Sequence, residues 1–121
     1  MTFYELDFSA ETMETFLYFL YTDEVKDIKL VNINLLKAAD KYNFRGLLAY
    51  CSTHLKSNLT VANASEVLLT AHFTNQEELF NAASDFVCEN KGELVRTKAW
   101  KDLLKTNPIL VGSVLSNMLG L

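Results

Sequence analysis

Glycine and proline are scarce in this chain, with four glycines and one proline among 121 residues. That leaves little material for the turn-rich connections of a β-sandwich or barrel. No run of about 18 apolar residues occurs, which argues against a membrane-spanning helix. Positive charge is short as well. Eleven Lys and Arg stand against fifteen Asp and Glu, a formal net charge of −4. No basic field is therefore present to hold nucleic acid or an anionic membrane. The start, Met1-Thr2-Phe3-Tyr4-Glu5, lacks the basic flank and apolar stretch of a secretory signal. The expectation is an intracellular protein, in nucleus and/or cytoplasm, with no basic cluster to choose between them. The two cysteines, Cys51 and Cys88, fall at core-facing helical positions. Buried thiols in a reducing compartment fit them better than a disulfide. Asn58-Leu59-Thr60 matches a glycosylation sequon, but without a secretory signal it reads as a loop opening a helix.

Chemistry-bearing groups are equally sparse. His54 and His72 are the only histidines. Cys51 and His54, three apart on a helix, could offer two metal ligands. A zinc site needs three or four, and no second pair at metal spacing follows. No Gly-x-Ser-x-Gly elbow and no glycine-rich phosphate loop occurs. The carboxylates are scattered over the solvent faces of helices. The composition predicts a non-enzymatic protein with no cofactor, no metal and no small-molecule substrate.

What the chain does have is apolar periodicity. Half its residues are hydrophobic and a fifth are charged, as in a packed soluble protein. Tyr4-Glu5-Leu6-Asp7-Phe8 alternates with a period of two and predicts a short strand. Ser9 can cap the helix that follows, with Glu11 near the positive end of its dipole. Met13, Phe16, Leu17 and Leu20 recur there at helical spacing. A second helix is predicted from about Val31 to Tyr42, where Ala38 and Ala39 permit close approach. A third starts near Phe44 and carries the stripe Phe44, Leu47, Leu48, Cys51 and Leu55. Gly46 in its first turn implies fraying or tight packing. Asn58-Leu59-Thr60 punctuates the chain and divides it into 1–57 and 58–121. Thr60 caps a helix using Val61, Ala64, Val67, Leu68 and Ala71. Asn75 to Glu78 has capping-box spacing for the next. Asn90-Lys91-Gly92 ends that helix with a residue tolerant of positive φ. Thr97 caps a short helix with Trp100, Leu103 and Leu104. Pro108 opens the last, with Val111, Val114, Leu115 and Met118 as its stripe. The predicted fold is mainly α: one short N-terminal strand followed by about seven helices.

Function is then a matter of surface. Phe16, Tyr18, Phe19 and Tyr21 surround the first helix with aromatic rings. Core packing suits Phe16 and Leu20. Tyr18 and Tyr21 divide evenly between core and interface, since tyrosine favours places where one end is apolar and the other wet. The charged run Asp23, Glu24, Lys26, Asp27 and Lys29 is either a solvated loop or the polar rim of that patch.

Several segments share one order with a known family. They are Phe16-Leu17-Tyr18-Phe19-Leu20-Tyr21-Thr22-Asp23, then Leu35-Leu36-Lys37-Ala38-Ala39-Asp40-Lys41-Tyr42, then Ser57-Asn58-Leu59-Thr60-Val61-Ala62-Asn63-Ala64, then Ala99-Trp100-Lys101-Asp102. The set resembles the second half of a BTB/POZ domain continuing into the helices of the BACK or three-box region, nearest to the speckle-type POZ family. The likeness implies a truncated BTB/POZ fold over 1–57 and BACK-like helices over 58–121. The front half of that fold and the substrate-binding MATH domain have no counterpart in this sequence. It also implies an adaptor for a cullin-3-type scaffold in ubiquitin-dependent degradation. The cullin-facing candidates are Met13, Leu17, Tyr18, Tyr21, Asp23 and Leu59. Relatives usually carry hydrophobic-x-Glu early in the contact helix; here the triplet is Met13-Glu14-Thr15. Leu115 and Met118 on the last helix are the self-association candidates, toward a second copy or another BTB/POZ protein. The alternative function is a self-association module or competitive regulator without ligase recruitment.

Overall fold

The computed structural model describes residues 9–25 and 27–118, of which residues 117 and 118 contribute backbone only. The chain clusters into two compact units, Met1–Ser57 and Asn58–Leu121.

In the first unit, helix α1 spans Ala10–Thr22. Ser9 is extended and its Oγ accepts the Thr12 N–H at 3.1 Å, the cap that the sequence predicts. Thr12, Thr15, Phe16 and Phe19 form its buried face. A single 3-10 turn, Ile28–Leu30, follows, capped by Asp27. Helix α2, Ile33–Lys41, is capped by Asn32, whose Oδ1 accepts the Leu35 N–H. Leu35, Leu36, Ala38 and Ala39 are fully buried. Burying each leucine contributes roughly 1.5–3 kcal/mol, and the two alanines let the neighbouring helices come close. Helix α3, Arg45–Ser57, buries Leu47, Cys51 and Leu55 along the predicted stripe. Rings knit α1 to the α2–α3 corner. Phe16 lies 5.3 Å from Tyr42 and 6.2 Å from Phe44, and Phe19 lies 5.9 Å from Phe44 and 6.0 Å from Tyr50. Gly46 faces Phe19, yet a Cβ there would sit 3.9 Å from the ring, an ordinary contact. Tight packing therefore does not require this glycine.

The second unit opens on a reciprocal cap. The Asn63 N–H donates to Thr60 Oγ1, and the Thr60 N–H donates to Asn63 Oδ1. Helix α4 proper is Ala64–Phe73, so the predicted first turn around Val61 is a capped turn ahead of the helix. Helix α5 is Glu77–Glu89 and packs on α4. A one-turn helix α6, Lys91–Leu94, leads to α7, Lys98–Thr106, capped by Thr97 as predicted. Helix α8, Pro108–Met118, begins at its proline, also as predicted. Val67, Leu68, Leu79, Val87, Leu94 and Val114 are fully buried, with Trp100, Leu103 and Leu110 nearly so.

The mainly α class is seen directly. The described residues hold eight α-helices and no strand, and the strand predicted at Tyr4–Phe8 lies outside them. The added helix is α6. Gly92 sits within it, so it does not terminate α5; Asn90 does, at φ −119°. Asn75 is likewise not the cap of α5. It takes φ 57° as the left-handed residue that ends α4. The Asn75 N–H returns to His72 O and the Gln76 N–H to Ala71 O, a Schellman closure. Asn43 (φ 53°) closes α2 in the same way, with its N–H on Asp40 O and the Phe44 N–H on Ala39 O. In a chain so poor in glycine, short polar side chains take over its left-handed duties.

Candidate protein-interaction surface

Helix α1 turns only one stripe inward. Its buried residues fall at i, i+3, i+4 and i+7. The rest of the cylinder leaves Leu17, Tyr18, Leu20 and Tyr21 exposed, Tyr21 at 87% and Leu17 at 48%. Met13 is half-buried at the edge of this face. Leu20, assigned to the core on its spacing, is exposed because it lies one step of about 100° beyond Phe19, which fills the core position. Four large apolar side chains on one short helix are more than scattered surface hydrophobics.

The end of the helix adds charge. Asp23 is left-handed, φ 58°, and its N–H donates to Phe19 O at 2.8 Å. Thr22 Oγ1 donates to Tyr18 O at 2.8 Å and accepts the Glu24 N–H at 3.2 Å, which fixes the turn. Asp23, Glu24 and Asp27 are exposed, with Ile28 beside them. The last turn of α1 carries no basic residue. Acids at a helix C-terminus oppose the dipole, so the carboxylates of Asp23 and Glu24 do not serve the stability of α1, whereas Asp27 caps the 3-10 turn.

Thr15 bears on the departure from hydrophobic-x-Glu. It is buried, and its Oγ1 donates to Glu11 O at 2.9 Å. An acid at that position would face the core. Glu14, one step earlier, is exposed.

The remaining candidates belong to the second unit. Leu59 is half-buried in the segment leading to the Thr60–Asn63 cap. Leu115 is 46% exposed on α8. Met118 closes α8, and its side chain lies outside the described residues. Leu115 joins Gly92, Val95, Leu104 and Val111 around an apolar groove of about 410 Å³ floored by Trp100. Val95 and the 87% exposed Ile109 were not singled out by sequence reasoning, and Leu104, grouped with Trp100 and Leu103 on its helix, is 44% exposed. On α7 the inward positions are Trp100 and Leu103, three apart, and Leu104 lies one step of about 100° beyond Leu103 and turns outward.

The described residues offer little to chemistry. They contain no group of three His, Cys, Asp or Glu placed to hold a metal ion. Cys51 is buried, which pushes its thiol up to about 12. Cys88 is partly exposed, and both cysteines are free thiols. No helix among the described residues is long and apolar enough to cross a membrane.

The sequence of the first unit decides the family. Residues 1–59 match the family model of the BTB/POZ domain. These residues belong to the BTB/POZ family. BTB and MATH domain-containing protein 40 of Caenorhabditis elegans is 28% identical over 115 residues, covering 93% of this chain and 29% of that protein. TD and POZ domain-containing protein 5 of Mus musculus is 31% identical over 108 residues, covering 88% of this chain and 32% of the relative. TD and POZ domain-containing protein 3 of Mus musculus is 29% identical over 115 residues, with 93% and 32% covered. The chain thus spans about a third of the length of the curated relatives it matches. BTB/POZ domains are protein-interaction modules, and the outward face of α1 lies within the BTB/POZ match.

Proposed function

We propose that this chain is a non-enzymatic adaptor that offers the outer face of α1 to a cullin-3-type scaffold of a ubiquitin ligase. Residues 1–57 act as the C-terminal part of a BTB/POZ domain, and residues 58–121 as BACK or three-box helices. The single observation that carries this reading is the exposure of Tyr21 and Leu17, with Tyr18 and Leu20, on a helix whose other face is buried. Met13, Leu17, Tyr18 and Tyr21 supply apolar contact, and Asp23 supplies a polar rim. A 13-residue helix is about 20 Å long. One face of it is smaller than the roughly 800 Å² per partner of a standard interface. The contact therefore extends beyond α1; Leu59, in the second unit, is a separate candidate. The mechanism is recruitment, which raises the effective concentration of an attached substrate near the ligase.

The test is calorimetric titration of the purified chain with the N-terminal region of cullin-3. Saturable binding tighter than about 30 μM is expected. A folded sample that shows no binding at that concentration contradicts the reading.

The apolar groove beneath Leu104 and Leu115 favours a second reading: self-association, or pairing with other BTB/POZ proteins, without a ligase. Sedimentation of the chain, alone and mixed with a complete BTB/POZ protein, separates the two. A concentration-dependent dimer that Leu115→Asp disperses supports it.

A further inference from the structure

Helices α4 and α7 pack together, and between them runs an open cleft of about 240 Å³. Ser65 lines it and is 3% exposed, and its Oγ has no hydrogen-bond partner. A buried hydroxyl left unpaired carries a desolvation cost, so it calls for an account. Glu66 and Asp102 stand at the same cleft, one from each helix, and both are exposed. Among the described residues neither carboxylate makes an ion pair. Leu69, Ala99 and Leu103 supply apolar wall. On α7, Ala99, Asp102 and Leu103 recur at i, i+3 and i+4 toward the cleft; Lys98 and Lys105 flank Asp102 four before and three after it, and neither lines the cleft.

We propose that the α4–α7 cleft is a binding site for an arginine side chain of a partner protein. The apolar walls suit the methylene stem of a long cationic side chain. The acceptors at the cleft suit its head. A guanidinium carries five donors in a planar fork and can serve a carboxylate and a hydroxyl together. An ammonium is a compact point charge that matches this spread of acceptors less well. The site is independent of the α1 face, and neither reading requires the other.

The experiment is NMR titration of the full chain with N-acetyl-arginine methylamide to about 50 mM, the range for a single side chain. The neutral citrulline analogue and the lysine analogue serve as controls. The expected result is saturable shifts of amides in 64–69 and 99–106, absent with citrulline and at least tenfold weaker with lysine. Glu66→Gln and Asp102→Asn, at exposed helical positions, each weaken binding at least fivefold. Ser65→Ala weakens it about threefold and leaves the fold unchanged or more stable. A hydroxyl with only a structural role predicts the same stability change and no loss of affinity. The proposal is overturned by no saturable shift, by equal shifts with citrulline or lysine, or by variants that bind like the native chain.

Discussion

Replacing Tyr21 by alanine separates a docking residue from a core residue. At 87% exposure the ring has almost all of its surface left to bury in a partner. A tyrosine that buries about 150 Å² gains roughly 4 kcal/mol at 25 cal/mol per Å². Part of that is lost to ordering, and truncation of a central aromatic anchor costs about 2–3 kcal/mol of binding. Tyr21→Ala should therefore weaken scaffold affinity roughly 30- to 150-fold. Stability should move by less than about 0.5 kcal/mol, because no buried contact is lost and alanine is the better helix former. Phe19→Ala gives the contrast. Phe19 packs on Phe44 and Tyr50 and is 6% exposed, so its loss should cost about 3–5 kcal/mol of stability. Titration calorimetry and thermal melting of both variants make the measurement. If Tyr21→Ala lowers the melting temperature as far as Phe19→Ala does, the outward face of α1 has been wrongly assigned. Unchanged affinity in a folded Tyr21→Ala chain refutes the docking role.

Other consequences follow from the core and its titratable groups. Leu36 is fully buried in α2, and Leu36→Ala should destabilise the chain by about 2–5 kcal/mol in a denaturant titration. Cys51, with its thiol pushed up to about 12 by burial, holds roughly one thiolate in ten thousand at pH 8. Ellman's reagent should therefore titrate the partly exposed Cys88 quickly and Cys51 only on unfolding; two fast thiols in the native chain contradict this. Burial raises the Asp40 carboxyl above its ordinary 3.8, so the folded chain holds that proton more tightly than the unfolded chain. Stability falls as pH rises through the window just above that value, and the penalty persists at neutral pH. Asp40→Asn should melt higher at pH 7, with the difference closing as pH falls below 3.8; a gain that stays constant into acid assigns the effect to another cause.

The periodic helices were legible because each buries a single stripe. Leu47, Cys51 and Leu55 on α3, and Leu35, Leu36, Ala38 and Ala39 on α2, lie where spacing puts them. The caps at Ser9, Thr97 and Pro108 were legible for a local reason: each satisfies or removes a free N–H within its own first turn. Asn75 and Gly92 were misread because one residue type serves two roles. Asn caps a helix start and also tolerates the left-handed turn at a helix end. Which role wins is set by the Schellman bonds to Ala71 and His72, which spacing does not reveal. Gly92 is open to either sign of φ, and the burial of Leu94 holds it helical. On α1, Leu20 was misplaced because a helix rich in large apolar residues all round does not announce which stripe faces in. The inward stripe is chosen by Phe44, Tyr42 and Tyr50, contributed from later in the chain.

Hydroxyl-radical footprinting of Tyr21 with and without the cullin-3 N-terminal region tests the docking face most directly. Alone, the 87% exposed ring should oxidise readily. In the complex, oxidation of Tyr21, Leu17 and Met13 should fall several-fold, while Leu115 stays as reactive as before. Complex formation with α1 equally oxidised in both samples, or with protection confined to α8, contradicts the account.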